Sequence, residues 1–439
     1  MTEAATSLEM LVSLCKRRGF VFPSSEIYGG INAVYDFGPL GVRLRRRIRD
    51  AWWREMVELR DDIEGLEAAI LMNPTVWQAS GHLSNFSDPL VDCLGECHQR
   101  WRADQLEGTT CPNCGGPLSP PRQFNLMFKT FVGPLEDESS TVYLRPETAQ
   151  GMFVNFKNVV NSSRQRVPFG IAQIGRSFRN EISTGNFIFR LRELEMMEME
   201  WFCPPGQDAP WFEYWCERRM AWHQALGLRP ESLRLRPHGE HEKAHYALAS
   251  SDIEYRFPWG WAELEGIARR GDYDLRRHQE VSGKDLQYTD PSTNERYLPY
   301  VVEPALGVDR SFLALLLDAY AEEELEDGTT RVVLHLRPLV APFQVAVLPL
   351  SKKPDLTELA RSVEQGLRSS FSTEYDDTQS IGRRYRRQDE IGTPLAVTID
   401  FDSLEDRAAT IRDRDTMQQR RVPLEGLAAA CSEMLRLEA

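Results

Sequence analysis

The chain has 439 residues, 41% hydrophobic and 27% charged, which is long enough for two or three domains with a sizeable core. Its 52 lysines and arginines against 66 aspartates and glutamates leave a formal charge of −14; this argues against a protein that coats nucleic acid nonspecifically and leaves room for a local basic patch. No apolar run approaches the ~20 residues of a membrane helix, and the N-terminus lacks the basic-then-apolar order of a secretory signal, so a cytoplasmic protein with no membrane partner is expected.

Residues 42–60, VRLRRRIRDAWWREMVELR, place Val42, Leu44, Ile48, Trp52, Met56 and Leu59 at helical spacing with arginines between them. An amphipathic helix is predicted there, launched by the turn in DFGPLG. It packs either on its own domain alone or also on a partner subunit; the helix by itself does not decide. Residues 91–121 change texture to short polar runs with Pro and Gly and read as an insertion. The stretch 124–203 is strand-like, and WFEYWCERRMAWHQALGL (211–228) reads as a helix ending at Gly227. DIEYRFPWGWAELEG (252–266) and YLPYVVEPALGV (297–308) alternate as strands do, and the helix DRSFLALLLDAYAEEE follows. The acidic run AEEELEDGTTR (321–331) is expected to be a linker. Beyond it FQVAVLPL and PLAVTIDFD read as buried strands around the helix DLTELARSVEQGLRSSF, the pattern of a small α/β domain.

Three features carry chemistry. In SFRNEISTGNFIFRLRE (177–193) two strands joined by a turn would put Arg179 with Glu181, and Arg190 with Arg192, on one face. Continuing the strand adds Glu198 and Glu200. Arginine forks suit phosphate oxygens and carboxylates suit Mg²⁺, although spacing alone favours a solvated ladder of salt bridges. Further charges join them: Glu147 just after a strand and at a helix start, with Arg145 two residues before it, Glu263 and Glu265 on one strand face, Glu303 near a Pro turn and Arg310 at the start of an apolar helix. A single cavity for an anionic substrate over a sheet would accommodate them all. Second, Cys93, Cys97, Cys111 and Cys114 form C-x3-C and C-x2-C pairs with thirteen residues between, a spacing that favours structural Zn²⁺, with His98 as an alternative ligand. Third, GRRYRRQDE (382–390) holds four arginines and a tyrosine in what reads as a basic loop.

Taken together, KRRGFVFPSSEIYGG, YDFGPLG, YLRPETAQG, FRNEI, FRLRE, ELEGIARRGDYDL, SGKDL, VVEPALGVDR and IGRRYRRQDEIGTP resemble the class II aminoacyl-tRNA synthetases, and in detail the dimeric glycyl-tRNA synthetases, from about residue 15 to 425. The resemblance implies an α+β fold: an antiparallel sheet flanked by helices over residues 1–335, with a zinc-binding insertion at 91–120, and an α/β anticodon-binding domain over 336–439. It implies a homodimer with residues 30–60 at the interface. It implies ATP-dependent activation of glycine to glycyl-adenylate, with Mg²⁺, and transfer to the 3′ end of tRNA(Gly). Positioning and charge neutralisation carry such a step.

By the same resemblance, Arg179, Glu181 and Arg310 are the catalytic residues. ATP would lie along Arg179, Asn180, Glu181, Phe189, Arg190, Leu191, Arg192, Glu193 and Leu194, and across to Glu263, Leu264, Gly307, Val308, Asp309 and Arg310. Glycine would meet Arg102, Glu147 and Glu303, the strand Leu194, Glu195, Met196, Met197 and Glu198, and the segment Pro304, Ala305, Leu306 and Gly307, with Glu147 and Glu303 on its ammonium. Arg383, Arg384, Tyr385, Arg386 and Arg387 would contact tRNA, the arginines on phosphates and Tyr385 against a splayed base. Nothing is smaller than glycine, so no editing domain is expected. RELEMME departs from the family's REFEQME: Leu194 stands for the Phe that stacks on adenine, and Met196 for a Gln. Two other readings stay open: a glycine-activating paralogue outside translation, and a noncatalytic accessory protein that binds nucleic acid.

Overall fold

The structure, a computed structural model, describes residues 3–182, 185–239, 242 and 246–435, with side chains from residue 8 onward. Helix α1 (Glu3–Arg18) precedes α2 (Pro39–Trp53). Pro39 sits at the first position of α2, where its missing N–H costs nothing. Gly38 and Gly41 let α2 press on the preceding segment, since a Cβ at either would run into the carbonyl of Gly19 or Phe20. Leu44, Ile48, Trp52 and Met56 bury the expected stripe. Val42 and Leu59, expected on that stripe, are instead 53% and 60% exposed.

The N-terminal half is built on β1 (Ile63–Gly65), β5 (Phe169–Phe178), β6 (Glu193–Cys203), β7 (Leu233–Pro237), β8 (Ala249–Phe257), β9 (Gly260–Gly271) and β10 (Tyr300–Gly307). Between β1 and β5 lies a separate three-stranded sheet of β2 (Ser87–Asp92), β3 (Arg100–Arg102) and β4 (Arg122–Asn125), which carries the cysteine cluster. The large sheet runs β7-β8-β9-β10-β6-β5-β1, antiparallel except where β1 meets β5. Helices α3 (Ala149–Val154) and α4 (Phe156–Ser163) interrupt the stretch 124–203 that reads as strand-like. Then come α5 (Asp208–Leu226), closed by Gly227 in the left-handed conformation as expected, α6 (Tyr273–Ser282) and α7 (Val308–Ala319).

Strand parity gives the sheet two different faces. Met197, Met199 and Trp201 of β6 join Leu264, Ile267, Val302 and Leu306 under α2, α5 and α7 in one large apolar core. The opposite parity turns Leu194, Met196 and Glu198 into a cavity. One end of that second face is sealed by α3 and α4 through Met152, Phe153, Phe156, Phe169 and Phe202.

Two expectations are corrected here. Strand β5 stops at Phe178 and β6 starts at Glu193, so Arg179–Arg192 is the connection and not a hairpin face. The Arg179 N–H still pairs with the Arg192 carbonyl at 2.9 Å, then the chain opens into a loop with a short turn at Phe187–Phe189. The acidic run 321–331 is no linker either. It forms the hairpin β11 (Tyr320–Glu324) and β12 (Thr330–Leu334), whose Arg331 is wholly buried.

The C-terminal half comprises β13 (Val345–Pro349), α8 (Pro354–Leu367), β14 (Thr373–Tyr375), α9 (Ile381–Ile391), β15 (Leu395–Ile399), β16 (Ala408–Asp413), β17 (Gln419–Pro423) and α10 (Leu427–Leu435). Sheet order is β14-β13-β15-β16-β17, with β13 parallel to both neighbours. Every residue of β13 and β15 is buried, which is why both segments read as unbroken apolar runs. GRRYRRQDE is helix α9 and not a loop. Arg331 Nε joins the halves by donating to Asp389 of α9 at 2.9 Å, and Arg412 meets the same carboxylate at 2.9 Å.

Candidate active site

The polar face of the large sheet floors a cavity of about 280 Å³. Strands β6, β9 and β10 supply Leu194, Met196, Glu198, Glu263, Gly266, Glu303, Ala305 and Gly307; the β5–β6 connection supplies Arg179, Glu181, Phe189, Arg190 and Leu191. Its two ends differ in chemistry.

One end is an arginine and aromatic slot. Arg310, in the first turn of α7, lies 4.5 Å over the Phe189 ring and meets Glu263 at 3.1 Å. Phe189 is braced by Phe257 and Trp259, each with ring centroids 5.0 Å away. Arg179 donates to the Pro146 carbonyl at 3.1 Å, and Arg190 stands 3.7 Å from Glu181. A bulge in β9 decides which acid serves this end. Ile253 pairs with Glu265 but Glu254 pairs with Glu263, so Leu264 is an extra residue and parity flips across it. Glu263 therefore faces the cavity. Glu265, expected beside it, points the other way and is buried against Arg219 at 2.6 Å and His223 at 2.7 Å. Arg310 holds the Glu263 carboxyl below its usual range. Burial, with Glu263 nearby, raises Asp252.

The other end is a closed nest of acids. Glu147 accepts from Gln150 at 2.9 Å and lies 3.4 Å from His82. Gln150 also donates to Asp274 at 2.9 Å, and its carbonyl faces His278 at 2.7 Å. Arg270 grips Asp274 at 2.8 and 3.0 Å and Glu303 at 2.8 Å, under the Tyr246 ring at 3.9 Å. Glu198 accepts from the Thr148 N–H at 2.5 Å. Glu147, Glu198, Glu303, Glu200 and Asp274 are all buried, and Arg270 is the guanidinium among them. Burial pushes Glu303 up to about 7 and raises Glu198, whereas at Glu147 burial is outweighed by His82, Arg270 and Gln150 together, which hold it low. A buried excess of carboxylates around a cavity is a receptor for a small cation.

The expected site residues divide cleanly. Arg179, Glu181, Phe189, Arg190, Leu191, Leu194, Met196, Glu147, Glu198, Glu263, Glu303, Ala305, Gly307, Asp309 and Arg310 line the cavity. Strand parity removes others: Met197, Leu264, Leu306 and Val308 lie in the apolar core, and Glu195 meets Arg45 and Arg49 on the underside, each at 3.0 Å. Glu193 pairs with Arg176 outside. Arg192 donates to the carbonyls of Asn32 and Glu181 at 2.9 and 3.1 Å. Arg102 is engaged by Asp88 and Asp104 at 2.8 and 2.7 Å. Asn180 and Pro304 are not among the lining residues. His82, Gln150, Tyr246, Arg270 and Asp274 had no assigned role in the sequence reading. Gln150, Arg270 and Asp274 lie inside the quoted stretches RPETAQG and ARRGDYDL; His82 lies in none.

Two other clusters were expected. The Sγ atoms of Cys93, Cys97, Cys111 and Cys114 all lie within 4.8 Å of one another. Tetrahedral thiolates at ~2.3 Å from zinc would be about 3.8 Å apart, so this set fits the ion. His98 is not in the group. On α9, Arg384 is 2% exposed and donates to the carbonyls of Pro349, Asp377 and Gln379, while Arg387 is bound to Asp376. The Tyr385 hydroxyl meets Thr398 at 2.5 Å. Arg383 is exposed.

Residues 128–320 match the tRNA synthetase class II core domain (G, H, P, S and T), and residues 344–434 match the anticodon binding domain. The chain is 54% identical over 433 residues to a glycine--tRNA ligase of Treponema denticola, covering 96% of each chain. It is 52% identical over 460 residues to a glycine--tRNA ligase of Geobacillus kaustophilus, covering 98% of this chain and 99% of that one. In fold it is similar to a prolyl-tRNA synthetase of Cryptosporidium parvum solved with L-proline and AMP, with a TM-score of 0.68 at 14% identity over 99% of this chain and 79% of that one.

Proposed function

The chain belongs to the glycine--tRNA ligase family of class II aminoacyl-tRNA synthetases, and from that premise we propose how its cavity performs the reaction. Glycine and ATP give glycyl-adenylate and pyrophosphate, and the glycyl group passes to the 3′ end of tRNA(Gly). The observation that carries this reading is the pairing of a buried acid nest with an arginine slot in one cavity.

The ammonium of glycine enters the nest among Glu147, Glu198 and Glu303, whose carboxylates replace its hydration. Its carboxylate then points toward Arg179, which takes the α-phosphate. The adenine lies between Arg310 and Leu194, with Phe189 behind the guanidinium. Leu194 packs on the base without aromatic stacking. Residues fixed in place before the reaction supply most of the acceleration. Asp252 Oδ1 and Glu263 Oε1 stand 3.8 and 3.9 Å from where a Gly266 Cβ would sit. That cradle fits Mg²⁺, which would neutralise phosphate charge there.

Other parts follow the same premise. The four cysteines hold structural Zn²⁺ in the insertion. The anticodon-binding domain reads the tRNA, with Arg383 as its contact on the exposed side of α9. The protein is a cytoplasmic homodimer; among the described residues no helix is long and apolar enough to cross a membrane. Exposed Ile27, Tyr28, Ile31 and Val42 support an interface beside α2.

The test is glycine-dependent exchange of pyrophosphate into ATP. Arg179→Ala should lose exchange by at least ~100-fold, the scale of removing one transition-state donor, while keeping the oligomeric state of the wild type. Exchange that proceeds equally with or without glycine would end this reading, as would an Arg179→Ala enzyme of full activity.

A further inference from the structure

Glu200 lies outside the roles given above. It is fully buried, and neither of its carboxyl oxygens has a hydrogen-bond partner among the described residues. It does not line the cavity; it sits one layer behind it. The register places Glu198 against Ala305 and Trp201 against Val302, so Glu200 stands directly across from Glu303. Residues directly opposite on antiparallel strands point the same way with Cβ atoms ~4.5–5.5 Å apart. On the β5 side Glu200 pairs with Ile171, which is apolar.

The charged groups facing Glu200 come from each neighbouring element. Glu303 is on β10, Arg270 on β9, Asp274 on α6 and Glu198 on its own strand. Arg270 is already committed to Asp274 and Glu303. Two buried carboxylates side by side cannot both ionise when the shared cation is bound to one of them. The proton belongs on the member with no partner.

We propose that Glu200 is a positioning residue that remains a neutral carboxylic acid and holds its proton within the nest, so that Glu147, Glu198 and Glu303 are the carboxylates that ionise when the glycine ammonium binds among them. The step is a proton placement only: Glu200 keeps its O–H beside Glu303, the residue that stands opposite it, and no bond is broken during the reaction. The direction of titration agrees, since burial and Glu303 raise Glu200 well above the usual range. This inference rests on the proposed function for its ligand, and its first test is independent of any ligand.

That test compares unfolding of the full chain in denaturant for the wild type and Glu200→Gln across pH. An unfolded glutamate ionises near pH ~4.3. If the folded carboxyl stays neutral, the native state holds one more proton than the unfolded state above that pH. Wild-type stability then falls, relative to the non-titrating variant, by about tenfold in the folding constant per pH unit. The gap between variant and wild type should widen steadily from about pH 5.5 to about pH 7.5; a gap independent of pH overturns the proposal. The second readout is the KM for glycine in pyrophosphate exchange. Glu200→Leu, which lacks a donor, should raise it about tenfold, one lost hydrogen bond, with the KM for ATP unmoved. Glu200→Gln should restore it to within about threefold. A Glu200→Gln enzyme as impaired as Glu200→Leu would mean that an ionised carboxylate is needed, and a Glu200→Leu enzyme with unchanged KM would mean that no donor is; either overturns the role. If Glu200→Gln does not fold, infrared spectra of the wild type and Glu200→Leu decide: a buried protonated-carboxyl band at pH 7 that the substitution removes supports the assignment, and a wild type without the band, or a band that survives the substitution, overturns it.

Discussion

Glu303 concentrates the chemistry of the site in one side chain, because it touches Arg270 behind and the cavity in front. Glu303→Gln keeps the shape and removes the charge proposed to meet the ammonium of glycine. Its KM for glycine should rise at least tenfold, since a buried charge-assisted contact carries ~1.5–3 kcal/mol, while the KM for ATP stays put. Steady-state kinetics with each substrate varied separates the two. Arg310→Lys should do the reverse, raising the KM for ATP roughly tenfold, because an ammonium cannot both lie flat on Phe189 and fork toward Glu263. Glu147, Glu303 and Arg310 were legible as cavity residues because each lies in a recognisable stretch, RPETAQG for the first and VVEPALGVDR for the other two. Glu265 was misplaced because a period of two cannot reveal a bulge; only the pairing with β8 shows Leu264 as the extra residue. His82 was invisible because its contact with Glu147 joins residues 65 positions apart with no local pattern to announce it.

At the scale of elements, α9 shows how composition misleads. Its inward positions are Arg384, Gln388, Asp389 and Ile391, so the stripe that should betray a helix is almost entirely polar. Arg384 replaces a hydrophobic anchor by capping carbonyls of the β13 and β14 ends. Arg384→Ala should therefore destabilise the anticodon-binding domain by about 2–4 kcal/mol, read by denaturant unfolding, since several buried carbonyls lose their donor at once. Arg383→Ala, on the exposed side, should leave unfolding unchanged and weaken charging of tRNA at fixed salt. β13 and β15 were legible for the opposite reason: burial on both faces writes itself into the sequence as continuous apolar runs. In the insertion, Cys111→Ser should lower bound zinc from one ion per chain, measured by atomic absorption, because three thiolates and a hydroxyl hold the ion far less firmly.

Across the whole molecule the two halves are joined by charge where a flexible linker was expected. Arg331 in hairpin β11–β12 reaches Glu323, Asp389 and the Arg414 carbonyl, and Arg18 of α1 grips Glu390 at 2.5 Å. The acidic run 321–331 was read as a linker, but its Glu323 is the partner of the buried Arg331 and of His335. His335 spans the junction, 2.6 Å from Asp415 and 2.9 Å from Glu323. The hydrogen bond to Asp415 raises it above its usual 6.5. A raised histidine stabilises the fold fully below pH 6.5, and that contribution disappears as pH climbs through the higher folded value. Thermal midpoints between about pH 5.5 and about pH 8.5 should fall with pH more steeply in the wild type than in His335→Gln. The most direct measurement of the central claim is transfer of labelled glycine to purified tRNA(Gly) by the full chain with ATP and Mg²⁺. The account predicts an ester-linked glycyl product that fails to form with alanine or serine in place of glycine, or with Glu303→Gln at low glycine. Glycyl-adenylate forming without any transfer to tRNA(Gly) would contradict it.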